Sequence, residues 1–246
     1  MSAPRELREE FLRICEGGDY GKAVEFQSRI GPFIPGKAKG RKFRTVCGLD
    51  ISYSKGSDLV FAAAALFSYP DMKLIEERNI MGRETFPYIP GLLAFRELPV
   101  LLEAFARLTR TPDLILVDGQ GLAHPRRFGI ACHLGLLLDL PTIGCAKSRL
   151  VGTHGMIGEE VGSQVEVVDG GQVVGMAVRT RPGSKPIYVS VGHKVDLAAA
   201  VGLVLACIRG YRLPEPTRLA HLAAAGPLED VDSRFSTDER GQIPNG

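Results

Sequence analysis

Two acidic residues stand directly after short apolar stretches and could bind a divalent cation together. Asp50 follows the residues TVCGL, and Asp118 follows LILV. Either residue taken alone is also typical of an aspartate that caps a turn. Two carboxylates on adjacent strand ends repel each other, however, and a divalent cation offsets that repulsion. Because the ligands would be oxygen atoms, Mg²⁺ or Mn²⁺ is favoured over zinc.

Three further charged residues are each open to two interpretations. Glu97 could be a third ligand, or a solvent-facing helix charge paired with Arg96 or with a residue four positions along the helix. Lys147 could stabilise a developing negative charge, or be an ordinary surface lysine. Asp113 lies five residues before Asp118, so in an extended strand the two side chains point to opposite faces. Asp113 is therefore expected to have a structural role, or to support the metal ligands without contacting the metal.

The histidine and cysteine patterns argue against a zinc site and against a disulfide framework. The five histidines show neither H-x-H nor H-E-x-x-H spacing, and the five cysteines include no C-x-x-C pair. Such cysteine usage predicts a reducing, cytoplasmic location. His133 lies within an apolar helical stretch, and we interpret it as a core residue whose hydrogen bonds are satisfied.

Length and composition predict one globular domain. The chain has 246 residues, of which 45% are hydrophobic and 24% charged, with a net charge of +2. No apolar run is long enough to cross a bilayer, and the N-terminus does not resemble a secretory signal. We expect a single domain over residues 1–226 and a disordered tail over 227–246. A basic run before the first strand is typical of a solvated linker, with phosphate contact as the alternative; it comprises Lys37, Lys39, Arg41, Lys42 and Arg44.

The predicted elements must bring the two aspartates together. Short apolar segments with tight connections predict strands at 45–54, 59–69, 73–81, 113–118 and 142–145, the first three as an antiparallel meander. Apolar spacing predicts helical structure over 5–30, and Pro99 predicts that 91–108 divides into two helices. This order is typical of the ribonuclease-H-like layout, in which the first and fourth strands pair in parallel. Asp50 would then lie beside Asp118.

A loop that contains two prolines separates the predicted meander from the helical segment at 91–108. Its sequence, PYIP at positions 87–90, restricts the backbone on both sides of Tyr88. One interpretation is a loop that folds Tyr88 onto the core. The other is a wedge that enters a stack of nucleic-acid bases.

The chain resembles the endonuclease V family in a series of short motifs that occur in the family's order. They are GLDIS at 48–52, PYIPG at 87–91, FRE at 95–97, VDGQG at 117–121, HPRR at 124–127, PTIG at 141–144, AK at 146–147 and PEPTR at 214–218. The details around Gln120 and His124 resemble the bacterial branch. The resemblance implies an α/β, ribonuclease-H-like fold: a central mixed five-stranded sheet flanked by helices, with an extra hairpin.

The resemblance also implies an activity. It is the repair of DNA that contains deoxyinosine, by hydrolysis of the second phosphodiester bond 3′ to the lesion with Mg²⁺, for which Mn²⁺ is expected to substitute. The alternatives are an inosine-specific ribonuclease and a nucleic-acid binding module without catalytic activity. The presence of all three carboxylates, Asp50, Glu97 and Asp118, argues against the binding module. The expected partner is deoxyinosine-containing DNA, or inosine RNA under the first alternative, and the expected state is a monomer without membrane contact.

Specific residues receive roles from this resemblance. It assigns metal binding to Asp50, Glu97 and Asp118, and accessory catalytic roles to Lys147 and His221. It assigns strand separation to a wedge formed by Pro87, Tyr88, Ile89 and Pro90. It assigns the pocket for the extruded base to Gly91, Leu93, Gly119, Gly121, Ile130 and Leu150.

Overall fold

The computed structural model describes residues 4–30 and 41–225. Lys37 and Lys39 of the basic run, and the tail expected over 227–246, lie outside the described residues. The helices are α1 (Pro4–Gly17), α2 (Tyr20–Ile30), α3 (Leu93–Ala106), α4 (Ile130–Leu138), α5 (Leu197–Ala206) and α6 (Glu215–Ala224). The strands are β1 (Thr45–Tyr53), β2 (Leu59–Ser68), β3 (Leu74–Arg83), β4 (Leu114–Val117), β5 (Thr142–Ala146), β6 (Gln164–Asp169), β7 (Gln172–Val178) and β8 (Ile187–His193).

The described strands form one sheet in the order β3-β2-β1-β4-β5-β8-β7-β6. The antiparallel meander of β1 to β3 and the parallel pairing of β1 with β4 are confirmed. The first five strands therefore have the expected arrangement. The hairpin of β6 and β7 is continuous with them, because β8 pairs antiparallel with both β5 and β7. The sheet of the described residues thus has eight strands, which include the five expected ones and the expected extra hairpin.

Helices cover both faces of the sheet. One apolar core lies between the sheet and α1 to α4, and includes Phe11, Phe26 and Phe95. The other lies between the sheet and α5 and α6, and includes Leu219. No helix within 4–30 or 41–225 is long and apolar enough to span a membrane.

Pro99 does not divide α3, so the prediction of two helices was wrong. The proline lies inside a single helix of 14 residues. Proline costs about 3 kcal/mol or more inside a helix, because it lacks an N–H and its ring crowds the preceding turn. The buried residues on both sides of it, among them Phe95, Leu98 and Leu102, pack on one continuous core and offset that cost.

The helical stretch predicted over 5–30 is two helices, α1 and α2. Gly18 separates them with a left-handed φ of +61°. Asp19 then starts α2, since its Oδ1 accepts the backbone N–H of Lys22 at 3.0 Å.

Asp113 fixes the start of β1 against the start of β4. Its Oδ2 accepts the backbone N–H groups of Arg44 at 2.8 Å and Thr45 at 3.1 Å, and the Thr45 hydroxyl at 3.2 Å. Its structural role is therefore confirmed.

His133 lies at the centre of the core under α1 to α4 and is fully buried. Its ring centroid lies 4.5 to 6.0 Å from four phenylalanine rings, those of Phe11, Phe26, Phe95 and Phe128. Its Nε2 lies 3.2 Å from Nε2 of Gln27, whereas its Nδ1 has no hydrogen-bond partner among the described residues. The core position is confirmed, but only half of the expected hydrogen bonding is present.

We predict that this histidine makes the fold sensitive to acid. Burial lowers the pKa of His133 well below its ordinary value of 6.5, so the folded state stays neutral where the unfolded chain takes up a proton. The free energy of unfolding therefore decreases as the pH falls below about 6.5, by up to about 1.4 kcal/mol per pH unit from this group. The measurement is thermal unfolding from about pH 8 to about pH 5.

His133→Leu should lessen that acid dependence, whatever its effect on stability at neutral pH. His154→Leu, at a partly exposed loop position, is the control and should keep the wild-type dependence. A wild-type acid dependence in His133→Leu would contradict the prediction.

Candidate active site

The parallel pairing of β1 with β4 places two carboxylates side by side. Leu49 pairs with Val117, and the backbone N–H of Asp118 donates to the Leu49 carbonyl at 3.3 Å. Asp118, directly after β4, therefore lies beside Asp50 as predicted, although Asp50 lies inside β1 and not at its end. Asp50 is only 6% exposed. Burial raises the pKa of Asp50, and the negative charge of Asp118 acts in the same direction.

The third carboxylate reaches the same place from α3. Glu97 is buried and accepts a hydrogen bond from the Tyr53 hydroxyl at 2.8 Å. Burial raises the pKa of Glu97 to about 8, and the charges of Asp50 and Asp118 raise it as well, while the Tyr53 hydrogen bond lowers it. The alternative of a solvent-facing charge paired with Arg96 is wrong, because Arg96 pairs with Glu84 instead.

Two basic side chains contact these aspartates. Nζ of Lys147, at the end of β5, lies 2.5 Å from Oδ2 of Asp118 and 4.0 Å from Oδ2 of Asp50. Nδ1 of His221 lies 2.6 Å from the same Asp50 oxygen. The structure thus brings together all five residues for which catalytic roles were predicted.

His221 reaches Asp50 because α6 crosses β1 at very short distance. A Cβ atom at Gly48 would lie 2.0 Å from the carbonyl oxygen of Pro216, so only glycine permits this approach. Gly48 and Asp50 share one face of β1, two residues apart. The motif glycine therefore sets the distance from which the α6 histidine meets the strand.

The donor chemistry of these side chains fits Mg²⁺ or Mn²⁺. Asp50, Glu97 and Asp118 all line one cavity and offer carboxylate oxygens, which are the ligands that these cations prefer. In the described conformation no three acidic, histidine or cysteine side chains lie close enough to enclose an ion. The ammonium of Lys147 supplies the local positive charge at Asp118 instead.

The five residues line a cavity of about 410 Å³. Five of the six predicted base-pocket residues also line it: Gly91, Leu93, Gly119, Ile130 and Leu150. Gly121 does not. Its backbone N–H donates to Ser190 Oγ at 2.7 Å, and a Cβ there would lie 2.0 Å from the Val191 carbonyl oxygen, so it packs against β8.

The predicted wedge lies at the rim of this cavity. Tyr88 and Ile89 line it, whereas Pro87 and Pro90 are exposed outside it. Tyr88 is 66% exposed, so the alternative in which it folds onto the core is wrong. Phe86 takes that buried position, with its ring centroid 5.6 Å from that of Phe95.

Sequence reasoning missed three residues of the site. Tyr53 was not connected with Glu97, and Arg126 and Gln27 were not connected with Gly91, whose carbonyl they both bind. Gln27 carried a detectable signal: it occupies the apolar stripe of α2 formed by Ala23, Phe26 and Ile30.

The chain is similar to known proteins in sequence and in fold. A family model described as Endonuclease V matches residues 34–222. An endonuclease V of Dehalococcoides mccartyi is 56% identical over 180 residues, which are 73% of this chain and 81% of that protein. The crystal structure of the endonuclease V of Streptomyces avermitilis has a TM-score of 0.78 and 41% identity, covering 83% of this chain and 91% of that one.

A further solved relative contains nucleic acid. The endonuclease V of Ciona intestinalis, in complex with a 24mer DNA containing an inosine followed by a ribo-adenosine, has a TM-score of 0.73 and 29% identity. The match covers 83% of this chain and 95% of that one. These structures confirm the ribonuclease-H-like fold. Since the family model spans most of the chain and the relatives are this similar, the chain belongs to the endonuclease V family.

Proposed function

We propose that this protein is a DNA repair endonuclease that recognises deoxyinosine and hydrolyses the second phosphodiester bond 3′ to it. The reaction would need Mg²⁺, or Mn²⁺ in its place, and would leave a 3′-hydroxyl and a 5′-phosphate. The main support is that a single cavity is lined both by the acidic cluster and by the glycine and aliphatic residues of the predicted base pocket. The inosine-containing DNA bound by the Ciona relative supports the same substrate.

In this proposal the acidic cluster serves the phosphate. Asp50, Glu97 and Asp118 would hold Mg²⁺, which when bound supplies positive charge for a phosphate oxygen and makes a water molecule more acidic. Tyr53 fixes the orientation of Glu97 by donating to its Oε1. Nδ1 of His221 lies 2.6 Å from Oδ2 of Asp50 and 3.5 Å from Nζ of Lys147, so the imidazole contacts both groups. Lys147 would offset the negative charge of the phosphate from beside Asp118.

The glycine-lined part of the cavity serves the base. Hypoxanthine carries a carbonyl oxygen where adenine carries an amino group. Backbone N–H groups can donate to that oxygen, whereas they would face another donor in adenine. Gly91 and Gly119 lack side chains, which allows the flat base to approach the backbone.

The primary test is a labelled duplex with a single deoxyinosine, incubated with and without Mg²⁺, with the position of the cut mapped. We expect one cut at the second bond 3′ to the lesion, only when the metal is present. Cutting elsewhere, or no cutting with Mg²⁺, would overturn the proposal. The ribo-adenosine in the DNA of the Ciona relative makes an inosine-specific ribonuclease the second candidate, and parallel turnover of DNA and RNA oligonucleotides separates the two.

We predict that Asp118→Asn lowers the cleavage rate by orders of magnitude while binding of the lesion persists. The substitution keeps the size of the side chain but removes an anionic oxygen ligand. Single-turnover cleavage and equilibrium binding measure the two effects. Asp58→Asn, an exposed carboxylate on the turn after β1, is the matched control and should leave both unchanged. Near wild-type cutting by Asp118→Asn at saturating Mg²⁺ would show that the ligand assignment is wrong.

We predict that Lys147→Met reduces turnover far more than affinity for DNA. One ammonium adds little to a binding surface with many phosphate contacts, but it offsets charge at the reacting phosphate. Steady-state kcat and binding affinity are measured side by side, with the exposed Lys185→Met as control. Equal losses in both quantities would make Lys147 a residue that positions DNA.

We predict that Tyr88→Ala weakens binding to inosine-containing duplex by roughly tenfold or more. An exposed ring that stacks in the gap left by an extruded base contributes about 1–3 kcal/mol, and about 1.4 kcal/mol corresponds to one decade of affinity. The loss should be smaller on single-stranded inosine DNA, where no duplex is opened. Tyr88→Phe keeps the ring and should be mild. Equal losses on both substrates would mean that Tyr88 supports the pocket or the fold.

A further inference from the structure

Helix α2 contributes a side chain to the cavity although it lies outside the part of the chain that the family model matches. That match begins at residue 34, whereas α2 ends at Ile30. Gln27 of α2 nevertheless lines the cavity and is 1% exposed. A buried amide on an apolar helix stripe loses its hydration, so its polar atoms must find partners inside the protein.

The amide of Gln27 joins three separate segments. Its Nε2 lies 3.1 Å from the Gly91 carbonyl oxygen, 3.3 Å from that of Phe128 and 3.2 Å from Nε2 of His133. Its Oε1 accepts a hydrogen bond from Nε of Arg126 at 2.6 Å. A side chain in α2 therefore connects the end of the wedge loop, the loop before α4, and α4 itself.

The Gly91 carbonyl is the point where these contacts converge. Nη2 of Arg126 donates to it at 2.5 Å, in addition to the Gln27 amide. The ring of His124 lines the same cavity and accepts the backbone N–H of Arg126 at 3.2 Å. Gly91 has a left-handed φ of +80°, and a Cβ there would lie 2.8 Å from Arg126 Nη2, so the glycine is fitted to this arrangement. All four residues line the cavity or bind a residue that does.

The hydrogen bonds from Gln27 and Arg126 occupy the Gly91 carbonyl oxygen, which belongs to a residue that lines the proposed base pocket. A free backbone carbonyl that faces the exocyclic group of the base could accept a hydrogen bond from the amino group of adenine, whereas the carbonyl oxygen of hypoxanthine at that position has no proton to donate. A carbonyl that is already bound by an amide and a guanidinium has little remaining capacity for adenine. Without the Gln27 amide, the Gly91 carbonyl oxygen could accept a further hydrogen bond, and Nε of Arg126 would lose its acceptor.

We propose that Gln27 is a positioning residue that determines base specificity: it holds the Gly91 carbonyl and Arg126 so that the pocket disfavours a base with an exocyclic amino group. The inference rests on the proposed function, since it assumes that this cavity takes the inosine base. It makes the α1–α2 hairpin part of the recognition site. Gln27 acts through Gly91 and Arg126 and takes no part in the hydrolysis, which the proposal assigns to Asp50, Glu97 and Asp118.

Two substitutions test the proposal. Gln27→Glu keeps the acceptor for Arg126 and nearly the same shape, but removes both N–H donors to Gly91 and Phe128. Gln27→Met removes all polar contacts at similar volume. Ser28→Ala, an exposed neighbour on the same helix, is the matched control. Thermal unfolding identifies the variants that are folded, and if Gln27→Met does not fold, Gln27→Glu decides.

The measured quantity is the ratio of affinities for two single strands that differ only in deoxyinosine or deoxyadenosine at one position. Fluorescence anisotropy in EDTA gives both affinities without cleavage. We expect the wild type and Ser28→Ala to prefer deoxyinosine, and Gln27→Glu to lower the preference by roughly tenfold, the effect of about one hydrogen bond.

The possible outcomes separate the two proposals. A merely structural role would weaken binding of both strands equally, and an unchanged ratio in folded Gln27→Glu would overturn the inference while leaving the proposed function intact. A wild type without preference for deoxyinosine would overturn the proposed function, and the inference with it.

Discussion

The parallel pairing of β1 with β4 is the constraint on which the candidate site depends. It forces Asp50 and Asp118 next to each other where two central strands of the sheet pair, and there burial and the charge of Asp118 raise the pKa of Asp50. Neighbouring elements bring basic side chains close to these carboxylates. Lys147 at the end of β5 and His221 on α6 both approach the pair, and the latter does so only because Gly48 lets the helix touch the strand. The chemistry of the site thus follows from a backbone register.

Much of the fold could be predicted because its signals are local. Tight turns between short apolar runs define the meander, and the order of strands and helices places β1 beside β4. What the sequence did not predict depends on tertiary contacts. Pro99 lies inside a continuous helix because the core on both sides of it outweighs the local cost. The hairpin of β6 and β7 joins the main sheet through β8, whose pairing with β5 has no local signature.

The same division holds for the site. Asp50 and Asp118 could be predicted from their positions after short apolar stretches, and the other catalytic candidates from the family resemblance. The roles assigned to all of them are still predictions. The contacts of Tyr53 with Glu97 and of Gln27 with Gly91 join residues 44 and 64 positions apart, so no spacing rule predicts them. They result from tertiary packing, which brings each polar side chain to a buried partner that is distant in the sequence.

The contact of α6 with β1 has a consequence for biosynthesis. Asp50 and the histidine that pairs with it are separated by 171 residues, and α6 is the last element that the structure describes. During translation the β1–β3 meander can form early, from local contacts, whereas the acidic cluster lacks its histidine until α6 has left the ribosome. An incompletely synthesised chain therefore carries the carboxylates without the complete set of groups around them. In this arrangement a nascent chain does not yet hold the five side chains of the candidate site together.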